Sequence, residues 1–232
     1  YLGKVDWNVS DSQRLSVRYN ANRFTGTNYE NSGATSAVGH TGNSSVTTDN
    51  ISGTHTFVIS PTTLLESRFT FTRDNEPGEA NSNDPEVVLR QGGTTVINFG
   101  RNNFSPRYTN AKTYQWAEGL SHTRGRHSYK MGVDMIWQRI DNYFPGNFSG
   151  SYTFNSYADF ANKVPFSFTQ AFAGGGTGAL SQPNAGEYGF YVQDSWRVTD
   201  RLTLNYGVRY DVFKYAAGTV KNPDAGLAAA GL

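Results

Sequence analysis

The residues of this chain best suited to chemistry are four histidines and one acid-rich run. His40, His55, His122 and His127 are its imidazoles. His122 and His127 flank a short turn at 124–126, a spacing that lets them face each other across it. Two imidazoles with no third ligand nearby do not make a zinc site, so a solvated turn is the expectation. The run 74–86 supplies Asp74, Glu76, Glu79, Asp84 and Glu86, oxygen enough for Ca²⁺ but without the ligand spacing of a calcium loop. It reads as an acidic surface loop. Gly174, Gly175 and Gly176 have no following Lys-Ser/Thr, so a flexible loop is expected there rather than a phosphate cradle. No G-x-S-x-G elbow, H-E-x-x-H helix, P-loop or dinucleotide fingerprint is present. The chain has no cysteine, which excludes disulfides and thiolate metal sites. The expectation is a non-enzyme with no cofactor and no metal.

Composition narrows the elements that must carry these side chains. The 232 residues hold 20 Lys+Arg against 19 Asp+Glu, a balance that offers no field for nucleic acid. Mean hydropathy is −0.56, and no run approaches the ~18–20 apolar residues of a membrane helix. Aromatic residues nevertheless reach 14%, too many for a disordered chain. With 25 Gly and little Leu or Ala before the last residues, β-structure with long loops is expected. The chain opens on Tyr1 with alternation already under way and closes on a loose Gly/Ala segment, 224–232, so it reads as a fragment of something longer.

Period two runs through most of it. Leu202, Leu204, Tyr206, Val208, Tyr210 and Val212 alternate with Thr203, Asn205, Gly207, Arg209 and Asp211, the pattern of a strand with one apolar and one polar face. Tyr188, Phe190, Val192, Trp196 and Val198 continue it, with Asp194 the one charge on the apolar parity. Tyr129–Trp137 and Leu15–Ala21 repeat it, and weaker copies cover 1–9, 48–59, 64–74 and 112–123. Eight strands in four hairpins result. Short turns at 10–13, 60–63, 124–126 and 199–201 alternate with long polar segments at 25–47, 75–111 and 144–185, and another opens after Tyr215. That order is characteristic of an outer-membrane barrel, with short periplasmic turns and long extracellular loops. A soluble sandwich does not require it. Within 144–185, a short helix over 156–163 is predicted, capped by Ser156 and packing Phe160 inward.

Taking the short turns as periplasmic gives each side chain a height. Trp7 and Trp196 fall near the periplasmic interface, and Trp116 and Trp137 near the extracellular one, as a membrane-interface girdle requires. The alternative is a set of core aromatics in a soluble sandwich. The polar parity would line the lumen. Arg18, Arg68, Asp134, Arg197, Arg209 and Asp211 are its foremost candidates, with Lys4, Asp6, Glu66, Lys130 and Glu187 beside them. A hydrated ladder of cross-strand ion pairs is their expected arrangement. Arg23, Arg139, His55 and Glu118 sit on the apolar parity. The two arginines lie near the outer rim, where a charge costs little.

The stretches GFYVQDSW at 189–196 and LTLNYGVRYD at 202–211 resemble the barrel hairpins of TonB-dependent outer-membrane receptors, which read Y-x-Q-D-x-W, a tight turn, then L-T-L-N-x-G-x-R-Y-D. RGRHSYKMGVD at 124–134 resembles their G-x-H-x-x-K-x-G-x-D hairpin, and ISPTTLLESR at 59–68 another. The grouping is most similar to the Oar-like branch, which carries a carboxypeptidase-regulatory-like domain. The resemblance implies an all-β, antiparallel up-and-down transmembrane barrel of about 22 strands, of which residues 1–232 supply part of the wall. It further implies a plug domain outside this chain through which the TonB complex acts, a bulky extracellular solute to be imported, and outer-membrane lipid as surroundings in a Gram-negative bacterium. The loops carry no pattern that names the solute. Eight strands can instead close alone, giving a small OmpA-like structural or adhesive barrel.

Overall fold

The structure, a computed structural model, describes residues 1–172 and 178–216. The Gly174–Gly176 run and the segment after Tyr215 predicted as a further loop, 217–232, lie outside the described residues. In chain order the strands are β1 (Leu2–Ser10), β2 (Gln13–Glu30), β3 (Gly42–Ser60), β4 (Thr63–Ala80), β5 (Glu86–Gln91), β6 (Thr94–Phe99), β7 (Arg107–Arg124), β8 (His127–Tyr143), β9 (Ser151–Phe154), β10 (Ser167–Thr169), β11 (Leu180–Ser181), β12 (Ala185–Thr199) and β13 (Leu202–Tyr215). One helix, α1 (Tyr157–Ala161), and one 3₁₀ turn (Val38–His40) complete the set.

The large sheet is a meander in the order β1-β2-β3-β4-β7-β8-β12-β13, antiparallel throughout. These are the eight strands that period two predicts. The short connections are two-residue turns at 11–12, 61–62, 125–126 and 200–201. Three are built alike. The hydroxyl of Ser10, Ser60 or Thr199 accepts a bond from the backbone N–H two residues on, each at 3.3 Å, beside a register shift that bends the strand end. The fourth uses Gly125 at φ +60°.

The strands outrun their periodicity at the other end. The predicted loops 25–47 and 75–111 contract to 31–41 and 81–106, because β2, β3, β4 and β7 continue for several residues beyond the last clean alternation. Ser44 and Ser45 still pair with Gly26 and Thr25 there. Where both faces of a sheet meet water the side-chain alternation stops, but backbone N–H and C=O groups still need partners and the ladder runs on. This also corrects the acidic loop at 74–86. Asp74, Glu76 and Glu79 lie within β4, where successive side chains point to opposite faces, and Glu86 opens β5.

A second, four-stranded sheet, β10-β9-β5-β6, forms from the long connections, with β5 and β9 parallel. It draws the connection before β7 and the one before β12 into one outer cap. The first long connection joins through Asn98, which exchanges backbone bonds with Thr35 (2.7 Å) and Ala37 (2.9 Å). Helix α1 starts as predicted, with the Ser156 hydroxyl accepting from the Asp159 N–H at 3.0 Å. Phe160 meets Phe99 and Phe154 edge-on, at ring distances of 5.5 and 5.2 Å. Among the described residues no second sheet covers the apolar face of the wall: Tyr206 is 56% and Val208 70% exposed. That removes the soluble-sandwich alternative.

Candidate functional site: the polar face of the wall and its outer cap

Register decides which side chains share a face. One row of the polar face runs Asp6, Ser16, Thr54, Arg68, Ala117, Asp134, Gly189, Asp211 across all eight strands. Arg209 projects from the next row and reaches across β12 to Asp134 at 2.9 Å while holding Asp211 at 2.8 Å. Gly189 makes that reach possible, since a Cβ there would stand 2.3 Å from the Arg209 guanidinium. Of the six lumen candidates, Asp134, Arg209 and Asp211 therefore form one cluster. Arg68 shares their row two strands away. Arg18 is separate, bonding Asn20 at 3.2 Å, and Arg197 lies beside the 200–201 turn. Lys4 and Asp6 pair at 2.9 Å. The expected cross-strand ladder on this face is therefore reduced to one link: Lys4–Asp6 and Arg209–Asp211 each pair within a single strand, Arg209–Asp134 alone joins two strands, and among the described residues Arg18, Arg68 and Arg197 make no ion pair.

Sequence reading missed Tyr191. Its side chain reaches over Gly132 on the adjacent β8 toward Gly119 on β7 beyond it, within 2.8 Å of where a Gly132 Cβ would be. Two glycines opposite each other (Gly119 and Gly132 are register partners) beside a polar-parity aromatic were the available signal.

The opposite face carries the aromatics. Trp7, Trp116, Trp137 and Trp196 all share the parity of Val133 and Val208. Trp137 donates to the Tyr188 hydroxyl at 3.0 Å, and Trp196 stacks on His127 at 5.5 Å. Asp194, 6% exposed on this face, accepts from His127 at 2.6 Å and from Tyr206 at 2.8 Å. His122 bonds Thr63 at 2.8 Å instead, so the two histidines do not face each other: each bonds the strand that flanks its side of the hairpin, β4 for His122 and β12 for His127. His55 bonds Gln13 at 3.2 Å, and Glu118 accepts from Ser67 at 3.0 Å. Because His55, Ser67 and Glu118 are register neighbours, these polar groups form one short band across three strands. Among the described residues no group of three or more His, Asp or Glu is arranged to hold a metal.

The cap holds most of the buried side chains. Leu89 and Phe154 are its apolar centre, at 5% and 7% exposure. Arg107 clamps Glu30 through Nη2 at 2.9 Å and Nε at 3.3 Å. Arg101 binds the Ser82 carbonyl, Asn83 and the Ser149 hydroxyl, with its guanidinium 5.1 Å from the Phe148 ring. Asn102, 1% exposed, accepts from the Phe104 and Ser105 N–H groups. His40 lies 3.7 Å from Glu86, both buried, and burial holds its imidazole below the usual histidine pKa despite that carboxylate.

A single antiparallel meander with one apolar and one polar face, tight turns at one end and a folded cap at the other defines the wall of a membrane β-barrel. The sequence matches the family described as outer membrane beta barrel domain over residues 1–224, and the chain belongs to that family. Its place is the outer membrane. No curated protein matches the sequence. Among solved structures it is similar to the outer membrane transporter YddB from Escherichia coli, with a TM-score of 0.53 and 14% identity over 93% of this chain and 27% of that one. At that identity the likeness is one of fold, and the chain spans about a quarter of the transporter's length.

Proposed function

We propose that this chain forms part of the wall of an active-transport receptor, which binds a bulky extracellular solute and imports it with energy relayed by TonB through a plug domain. The observation that carries this reading is the open arc. β1 and β13 do not pair with each other, and unpaired backbone edges are not tolerated in lipid. The eight strands therefore need more wall beside them, which speaks against the small self-closed structural barrel. A wider barrel leaves the polar row around Asp134, Arg209 and Asp211 facing a lumen large enough for a plug and a passing solute. The cap stands at the extracellular mouth, where it forms one side of a vestibule. The four tryptophans then lie at the two lipid interfaces. The chain performs no catalysis, binds no cofactor and does not meet nucleic acid.

The test compares wild-type and gene-deleted cells on a panel of growth solutes too large for porins, with and without a protonophore. The expected result is a growth defect confined to a subset of solutes, with uptake of that subset abolished by the protonophore. Equal growth on every solute, or uptake insensitive to the protonophore, would overturn the reading.

A further inference from the structure

At the outer end of the apolar face, alternation gives way to cations. Arg73 on β4, Lys112 on β7 and Arg139 on β8 are direct register partners on three adjacent strands. No register shift interrupts either pairing, so all three share the parity of Phe71, Tyr114 and Trp137, which form the next row toward the membrane. Two residues along a tilted strand raise the cations by about 5 Å above those rings. The rings themselves make an aromatic shelf, with Phe71 and Tyr114 4.9 Å apart and Trp137 bonded to Tyr188. Aromatic rings of this kind settle at the membrane interface, where head groups give way to acyl chains.

Like charges placed directly opposite on neighbouring strands destabilise a sheet. Here three occur in succession, all exposed, and among the described residues none makes an ion pair or a side-chain hydrogen bond. Two neighbouring carboxylates are held elsewhere, and a third, Asp74, makes no ion pair with any of the three cations. Asp49, the register partner of Arg73, is held by Arg23 and Tyr19, and Asp141 accepts from Gln182 at 2.7 Å. The three cations open onto a cleft of about 720 Å³ that Asn75, Asn110 and Asn184 also line, together with Asp74 and Asp141, so cations outnumber carboxylates three to two. Amide donors beside unpaired cations suit an anion with several oxygens.

We infer that Arg73, Lys112 and Arg139 bind the phosphate groups of an anionic lipid in the outer leaflet, whose acyl chains lie against the aromatic shelf below. The occupant is a lipid rather than a free anion because the cleft sits on the lipid-facing parity, directly above rings that meet acyl chains. This inference depends on the membrane orientation of the wall and is independent of the transport reading.

The test titrates full-length protein in neutral detergent with three probes: lipid A carrying its phosphates, the same lipid with them removed, and inorganic phosphate. Lipid A is expected to bind the wild type and to bind an Arg73→Gln, Lys112→Gln, Arg139→Gln variant on the order of 100-fold more weakly, about fivefold per cation. The charge-keeping variant Arg73→Lys, Lys112→Arg, Arg139→Lys keeps the wild-type affinity to within a fewfold. Lys112→Gln alone loses about fivefold, and it supplies the readout if the threefold variant does not fold. Binding of lipid A by the Gln variants as tight as by the wild type overturns the inference. So does dephosphorylated lipid binding as tightly as lipid A, or millimolar inorganic phosphate displacing it, which would mark a free-anion site.

Discussion

Leu89 and Val208 are both aliphatic residues in β-strands, yet one is 5% and the other 70% exposed. Leu89 belongs to the cap, where one four-stranded sheet, a helix and three connections enclose an apolar centre. Val208 belongs to the wall, where only Ala21 among the described apolar side chains is buried. The wall has no core because lipid is its apolar partner on one side and water its polar partner on the other. The cap stands beyond the two-faced part of the wall and must build its own interior. The same residue type therefore stabilises the two regions by different means, and substitutions discriminate between them.

Phe154→Ala carries the largest expected effect. Removing a ring buried against Phe160 costs about 3–5 kcal/mol, enough to open the cap to protease in intact cells while the barrel still migrates as a folded species in unheated gels. Val208→Ala leaves both readouts unchanged. Loss of the folded barrel with Phe154→Ala would show that cap and wall are one cooperative unit. Within the wall, Val133→Arg on the lipid face is expected to cost about 2–4 kcal/mol, and Gln115→Arg on the polar face far less, both read by urea unfolding in vesicles. Equal costs would remove the distinction between the faces.

A pH titration sharpens the contrast further. Burial holds the His40 imidazole below its ordinary pKa in the folded cap, so the unfolded cap binds that proton more readily. Cap stability is then complete above the ordinary histidine pKa near 6.5 and falls as pH drops below it, by at most about 1.4 kcal/mol per pH unit. Protease sensitivity of the cap should rise below that pH in the wild type and flatten in His40→Gln, with the wall unaffected. Last comes Ser156→Ala, which removes the α1 cap bond at a cost of about 1 kcal/mol. Hydrogen exchange at Asp159 and Phe160 should speed up without change at β9.

Much of the wall was legible in the sequence. Leu202–Val212 against Thr203–Asp211 marks both faces, and Ser10, Ser60 and Thr199 mark the turns, because each signal is confined to neighbours along one strand. Legibility failed where the medium became uniform. Past the apolar band, β2 and β4 continue through Thr25, Gly26 and Asp74–Glu79 with no alternation to show it, so the pattern predicts loop where the backbone is strand. Mixed charge on one parity was visible, but the one cluster it forms depends on Gly189 letting Arg209 cross a strand.

The sequence by itself determined that this chain is an eight-strand, two-faced wall, since period two is a local record of apolar medium on one side and polar medium on the other. Tertiary structure alone decided the cap and the row of cations. Glu30 and Arg107 are 77 residues apart, and Arg73, Lys112 and Arg139 meet only through strand register. Contacts between residues so distant in the chain leave no period behind them; they exist only once backbone pairing has fixed which strands are neighbours and in what alignment.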